Sequence, residues 1–273
     1  MTVGEKLAAA RKKAGLSQTK LAEQLDVSFQ AISLWERDES LPDTGHLVKL
    51  AKKLELSLDS LLGNDIPRNW TLKPHTFNAE RMYTYVKAKA QAENLTQTLT
   101  ALPLAREKHQ GQKRKARTGD TAYIVHPLTL ACHALAMRLE DDDVLAAALL
   151  HDVVEDCGMQ PEELPVSDRV REAVRLVSKN MYDGDEEKTK SLYYGNIRKD
   201  PLASLVKCMD RCHNLSCMAD GFSREQMAEY ITETEEYILP LLDVIKEEPE
   251  YNNAAWLLRY QMMTLLETFK RLL

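Results

Sequence analysis

At 273 residues and 44% hydrophobic side chains, the chain is long enough for two cores and needs neither disulfides nor metal to hold them. It contains no apolar run of about 18 residues, which excludes a membrane-spanning helix. Its opening MTVGEKLAAARKKAG lacks the apolar stretch of a signal peptide, so a cytoplasmic location is expected. The formal charge of −6 excludes a protein coated all over by nucleic acid, but leaves room for one small DNA-reading module.

Residues 1–63 read as short helices. Apolar positions recur at helical spacing in Val3, Leu7 and Ala10, in Leu21 and Leu25, in Ile32 and Trp35, and in Leu47, Leu50 and Leu54. Ser17 and Ser28 are the expected N-caps of the second and third helices, with Asp26-Val27 turning between them. Residues 64–77 hold two prolines and little periodicity and read as a linker. From residue 78 to 273 the helical pattern returns, and no strand-like alternation of useful length appears. The expected fold is therefore all-α: a small bundle followed by a larger one. The five cysteines (Cys132, Cys157, Cys208, Cys212, Cys217) are odd in number and fall on helical stretches. Their Cys-x3-Cys-x4-Cys spacing lacks paired CxxC hooks, so reduced, packed thiols are expected rather than zinc ligands.

The stretch GLSQTKLAEQLDVSFQAISLWERDESLP, followed by HLVKLAKKLELSLDSLLG, resembles the Xre/lambda-repressor family of helix-turn-helix domains. Gly15, Ser17-Gln18, Leu21-Ala22, Val27-Ser28, Ile32, Trp35-Glu36-Arg37 and Pro42 carry the match. The resemblance implies that the third helix enters the major groove of DNA while the second crosses the backbone. Gln18, Ser28, Phe29, Gln30 and Ser33 would then face DNA, with Gln30 suited to an adenine edge, and Gln18, Arg11 and Lys20 suited to phosphates. Residues 1–63 carry nine basic and nine acidic side chains. Such neutrality weakens phosphate-driven binding and keeps a dimerisation or protein-docking role open.

Three segments of the second domain stand out: His109-Gln110-Gly111-Gln112-Lys113-Arg114-Lys115 with Tyr123-Ile124-Val125-His126-Pro127; Leu149-Leu150-His151-Asp152-Val153-Val154-Glu155-Asp156; and Val206-Lys207-Cys208-Met209-Asp210-Arg211-Cys212-His213-Asn214. An apolar helix delivers His151 and Asp152 side by side, with Glu155 and Asp156 one turn later. Three carboxylates and an imidazole at the end of a core helix are costly unless a cation or substrate uses them. Mixed His/Asp donors suit Mn, Fe, Zn or Mg.

The order H…HD…D, and more narrowly HxGQxRK…YxxHP…LLHDxxED…VKxxDRxHNL, is similar to the HD phosphohydrolases and to the hydrolase domain of RelA/SpoT alarmone enzymes. A later Glu233-Thr234, Tyr237, Pro240 element extends the match. The resemblance implies that His126, His151, Asp152 and Asp210 hold one divalent ion, Mn2+. Glu155 and Asp156 would activate the attacking water. Arg114, Lys115, Tyr123, Lys207 and Asn214 would bind the nucleotide or support the metal ligands. The implied reaction removes the 3′-pyrophosphate of an alarmone such as guanosine tetraphosphate.

His213 is expected to be structural, and His109 and His133 to be packing or hydrogen-bonding residues. Departures from the family pattern fall outside the ligand set. The loop after Lys115 is longer and carries Ala122 in place of proline, Cys157 replaces a threonine, and Cys217 stands where a nucleotide-contacting threonine is expected. These leave two other readings open: a nucleotide-responsive regulator with a weak HD domain, or an HD phosphohydrolase of a different nucleotide. No synthetase domain is expected. The closing AAWLLRYQMMTLLETFKRLL reads as a core helix or a homodimer interface.

Overall fold

The computed structural model describes residues 2–54, 56, 78–114, 120–182 and 186–273. Its internal contacts divide the chain into two units, Met1–Thr71 and Leu72–Leu273. The expected linker, 64–77, lies outside the described residues.

In the first unit, α1 (Val3–Lys13), α2 (Gln18–Leu25), α3 (Phe29–Glu36) and α4 (Thr44–Lys53) enclose Leu7, Leu21, Leu25, Ile32, Trp35, Leu50 and Leu54. Local chemistry sets the boundaries. The Ser17 hydroxyl accepts from the Lys20 N–H and the Ser28 hydroxyl from the Ala31 N–H, as expected of N-caps. Asp26 ends α2 in the left-handed region at φ 57°. Gly4 allows α1 to approach α3: a Cβ there would lie 2.6 Å from the Trp35 carbonyl oxygen.

The second unit runs through α5 (Ala79–Ala92), α6 (Thr96–Lys108), α7 (Val125–Ala136), α8 (Asp142–Leu150), α9 (Val153–Cys157), α10 (Asp168–Val177), α11 (Glu186–Ile197), α12 (Pro201–Gly221), α13 (Arg224–Glu233), α14 (Leu241–Glu247) and α15 (Asn252–Leu272). One π-turn, Thr234–Ile238, follows α13. Between α6 and α7 an antiparallel hairpin pairs β1 (Lys113–Arg114) with β2 (Thr121–Ala122). Two-residue strands leave no alternation to read, which is why the sequence reading missed them.

Helix α8 is the axis of this unit. Every residue from Val144 to Leu150 is fully buried, and α6, α7, α10 and α12 pack around it. Its three consecutive alanines let those neighbours approach closely. Leu145, Leu149 and Leu150 each contribute about 2 kcal/mol of burial. Helix α6 lacks a cap of its own, and α8 supplies one. The Asp142 carboxylate accepts from the backbone N–H groups of Gln97 at 2.9 Å and Thr98 at 2.8 Å, and from the Thr98 hydroxyl at 2.7 Å. The first residue of α8 is thus tied to α6 and its last turn is fully buried, and the chain leaves it directly into His151 and Asp152.

Candidate metal and nucleotide site

Four side chains from three helices meet at the end of α8. His126 comes from the first turn of α7, His151 and Asp152 from the step between α8 and α9, and Asp210 from the middle of α12. His151 Nε2 lies 3.2 Å from His126 Nε2 and 2.9 Å from Asp152 Oδ2. His126 Nε2 lies 3.2 Å from Asp210 Oδ1 and 3.5 Å from Asp152 Oδ2.

The partners behind each ring fix its protons. His151 Nδ1 faces the Ala148 carbonyl at 2.9 Å, which only accepts, so Nδ1 carries a hydrogen and Nε2 is turned to the cluster. The Arg114 guanidinium only donates, so His213 Nδ1 accepts from it at 3.3 Å. The same lone pair, 2.8 Å away, receives the Nδ1–H of His126. His126 Nε2 is therefore the nitrogen turned to the carboxylates. Two ring nitrogens 3.2 Å apart, ringed by two carboxylates, form a donor set suited to a cation.

The spacing suits one. Metal–ligand bonds of about 2.1 Å put neighbouring ligands about 3.0 Å apart in an octahedron and about 3.4 Å apart in a tetrahedron. His126, His151 and Asp152 form the group of potential ligands with converging donor atoms found among the described residues, and Asp210 joins them through His126. Burial alone would depress the His151 imidazolium, but the Asp152 and Asp210 carboxylates outweigh it and raise it to about 9. Burial likewise opposes ionisation of Asp152, yet the His151 charge holds that carboxyl well below its ordinary value. Burial wins at His126, which is lowered, and at His213, which is lowered to about 3 with help from the His126 and Arg114 charges.

The remaining expected site residues gather around this cluster. Asp210 is gripped by Lys207 Nζ on Oδ2 at 3.0 Å and by Asn214 Nδ2 on Oδ1 at 2.6 Å. Asn214 Oδ1 in turn accepts from Arg114, so the hairpin is tied to α12 beside the ligands. Tyr123, expected to line the nucleotide pocket, donates its hydroxyl to Asp152 at 2.7 Å and lies close to Asp156. Burial and the Asp152 charge raise its phenol far above the ordinary value, keeping it a donor. Glu155 and Asp156 are exposed on α9. Glu155 Oε2 accepts from the Lys179 backbone N–H at 2.7 Å, and desolvation raises its carboxyl above the usual range. Lys115 lies outside the described residues.

His213 does more than the sequence reading gave it, since it selects the tautomer of His126. The signal was its place one residue before Asn214 in the third segment. His109 packs its ring on Tyr123, centroids 4.8 Å apart, and pairs with Gln112 at 2.7 Å. His133 bonds to Gln261. Cys157 Sγ sits 3.5 Å from the Lys108 carbonyl behind the site, and Cys217 Sγ 3.8 Å from His213 Nε2. The Glu233-Thr234 element clamps Arg211: both side chains bond its guanidinium, which also donates to Tyr194 at 3.1 Å and lies over the Tyr230 ring.

In the first unit Phe29 and Gln30 are exposed at the start of α3, Phe29 by 47%. Ser28 spends its hydroxyl on the cap and Ser33 is half-buried. Gln18 Nε2 donates to Glu36 at 2.8 Å. Arg11 corrects one expectation. Its guanidinium grips Glu36 at 2.6 Å and the Leu16 carbonyl at 2.7 Å, so it is committed inside the fold and not available to a phosphate. Lys20 is exposed.

Residues 101–237, half of the chain, match the family model described as HD domain, and residues 7–61 match that described as Helix-turn-helix. The chain belongs to the HD domain family. It is 34% identical over 148 residues to the guanosine-3′,5′-bis(diphosphate) 3′-pyrophosphohydrolase of Aquifex aeolicus, covering 52% of this chain and 20% of that protein. It is 34% identical over 143 residues to human MESH1, named for the same activity, covering 49% of this chain and 78% of MESH1. Among solved structures it is similar to one described as a metazoan ortholog of SpoT that hydrolyzes ppGpp and plays a role in starvation responses. The TM-score is 0.51 at 26% identity, over 63% of this chain and 95% of the other. The chain thus spans about a fifth of the longer Aquifex relative and most of the short human one. Among the described residues no helix is long and apolar enough to cross a membrane.

Proposed function

We propose that the chain is a divalent-metal-dependent pyrophosphohydrolase that removes the 3′-pyrophosphate of a guanosine alarmone, joined to a module that reads DNA. The observation that carries the reading is the pair of imidazole nitrogens converging on two carboxylates, with Arg114 bonded to Asn214, one turn from Asp210 on α12. The names of the relatives supply the substrate class.

His126, His151, Asp152 and Asp210 would hold the ion, and Mn2+ suits their nitrogen–oxygen donor set. A divalent ion there supplies Lewis-acid polarisation of the phosphoryl group and acidifies the attacking water. The chain's own residues do the rest. Glu155 is anchored through Oε2 on Lys179, and its raised carboxyl suits a group that takes the water's proton. Asp156, beside Tyr123, is the second such carboxylate. Water oxygen bonds to the phosphorus next to the 3′-oxygen, the P–O3′ bond breaks, and the leaving 3′-oxygen takes up a proton. Lys207 and Asn214 hold Asp210 in place. Arg114 and Lys115 offer a guanidinium plane for the purine and positive charge for phosphates.

In the first unit, exposed Phe29 and Gln30 are the groups for base edges, and Lys20 for a phosphate. The five free cysteines fit a reducing compartment, the cytoplasm.

The test is to offer purified protein with Mn2+ guanosine and adenosine alarmones, deoxynucleoside triphosphates and cyclic dinucleotides, and to follow products by anion exchange, with Asp152→Ala as control. Pyrophosphate released from guanosine alarmones is expected. Turnover confined to another nucleotide class would move the substrate. No turnover, with a nucleotide-dependent shift of bound DNA, would make the second domain a sensor.

A further inference from the structure

The inner side of α15 packs on α12 and α14 through Ala254, Ala255, Leu258, Met262 and Leu266. Its outer side is not what a solvated helix face normally presents. Trp256 and Tyr260 are 65% and 61% exposed and stack in parallel, and Met263 follows one turn on. The exposed series Asn253, Trp256, Tyr260, Met263, Glu267 and Lys270 repeats at alternating spacings of three and four. Its middle three, Trp256, Tyr260 and Met263, are apolar, and over that stretch the face has the spacing of a coiled-coil seam turned outward.

The charges around this seam are arranged for a copy of itself. Before the helix, the exposed turn carries Glu247, Glu248 and Glu250 against one Lys246; at its other end stand Lys270 and Arg271, which within the chain reach Glu235 at 2.5 Å and Glu267 at 3.8 Å and would exchange these exposed partners for the acidic turn of a second copy. The two ends are about 30 Å apart, at 1.5 Å per residue. In the apolar stretch between them Arg259 is already paired with Asp243 at 2.7 Å, leaving that part of the face without unpaired charge. Beyond Met263 a shallow groove is lined by Met263, Thr264, Glu267, Thr268, Arg271 and Leu272.

We propose that this face pairs antiparallel with the same face of a second copy of the chain. A two-fold axis between Tyr260 and Met263 sets Tyr260 against the second copy's Met263. Trp256 then enters the second copy's groove beside Glu267. The acidic turn of each chain lies along Lys270 and Arg271 of the other, and the two helix dipoles oppose. A parallel arrangement would instead set acid on acid and base on base. The dimer carries two helix-turn-helix modules in one particle, the number that an operator of two half-sites requires.

Sedimentation velocity of the full chain, from submicromolar to about 100 µM, tests this. The wild-type chain is expected to dimerise, and Trp256→Glu to weaken the dimer at least about thirtyfold with unchanged circular dichroism. Glu250→Arg and Arg271→Glu should each weaken it about tenfold, and the double variant should restore it, because the two sites lie too far apart to pair within one chain. A chain that stays monomeric throughout, its face serving another partner, overturns the proposal. So does a dimer indifferent to Trp256→Glu. A dimer that Trp256→Glu breaks but the charge exchange fails to rescue overturns the antiparallel register.

Discussion

His213 Nδ1 stands 2.8 Å from His126 Nδ1, on the side of the His126 ring away from the other ligands. The contact fixes which nitrogen of His126 faces the cluster. In His213→Ala the ring can turn or exchange tautomers, while the four ligands remain. Metal affinity is expected to fall about tenfold to a hundredfold, read by calorimetric titration with Mn2+. An unchanged affinity would show that His126 is oriented by other contacts.

Arg114 touches none of the four ligand atoms but bonds Asn214 and His213 beside them. Arg114→Ala should therefore raise KM for the nucleotide severalfold to tenfold more than it lowers kcat. A kcat collapse with unchanged KM would instead place Arg114 at the reacting phosphate.

Asp142 gives stability a clear target. Removing its carboxylate in Asp142→Ala strands the Gln97 and Thr98 N–H groups at the buried start of α6. A loss of about 2 kcal/mol is expected in denaturant unfolding of the second unit. A change below about 0.5 kcal/mol would mean that water replaces the cap.

Glu233 supplies a pH dependence away from the ligands. Burial would raise its carboxyl, but Lys190 and Arg211 outweigh it and lower it to about 2 in the folded chain, from an ordinary 4.5. A depressed folded value means that the unfolded chain binds the proton first. The contribution is present above pH 4.5 and fades as the pH falls toward 2. Wild type should therefore exceed Glu233→Gln in melting temperature near neutrality, and the gap should close as the pH drops through that window. A constant gap would exclude the ionised pair as its source.

Glu36 answers to Arg11 and Gln18 inside a small core. Glu36→Gln leaves the Arg11 charge buried without its partner, at a cost of about 3 kcal/mol. The first unit's melting transition should drop while that of the second unit holds.

Much of this architecture was legible in the sequence because its determinants are local. Ser17 and Ser28 bound their helices through their own side chains and Asp26 through its left-handed backbone, and the apolar run before His151 announces a buried helix with chemistry at its end. The four proposed ligands stand out because three segments carry matching residue types. What escaped depends on contacts between distant segments. The partnership of Arg11 with Glu36 spans 25 positions and that of His213 with His126 spans 87, and neither leaves a periodic trace. The hairpin escaped for the opposite reason, being too short to have a period. Tyr123 was expected at the nucleotide pocket; its bond to Asp152 depends on how the chain before α7 docks against the end of α8.

The burial of α8 also bears on how such a protein can change over generations. His151 and Asp152 are fastened to a helix with no exposed position between Val144 and Leu150, where nearly any replacement leaves a void or a clash. Arg114 sits on a two-residue strand at the surface, and Cys217 is exposed. Substitution is therefore costly beside the proposed metal ligands and cheap at the hairpin and the outer turns of α12, where the proposed nucleotide contacts lie.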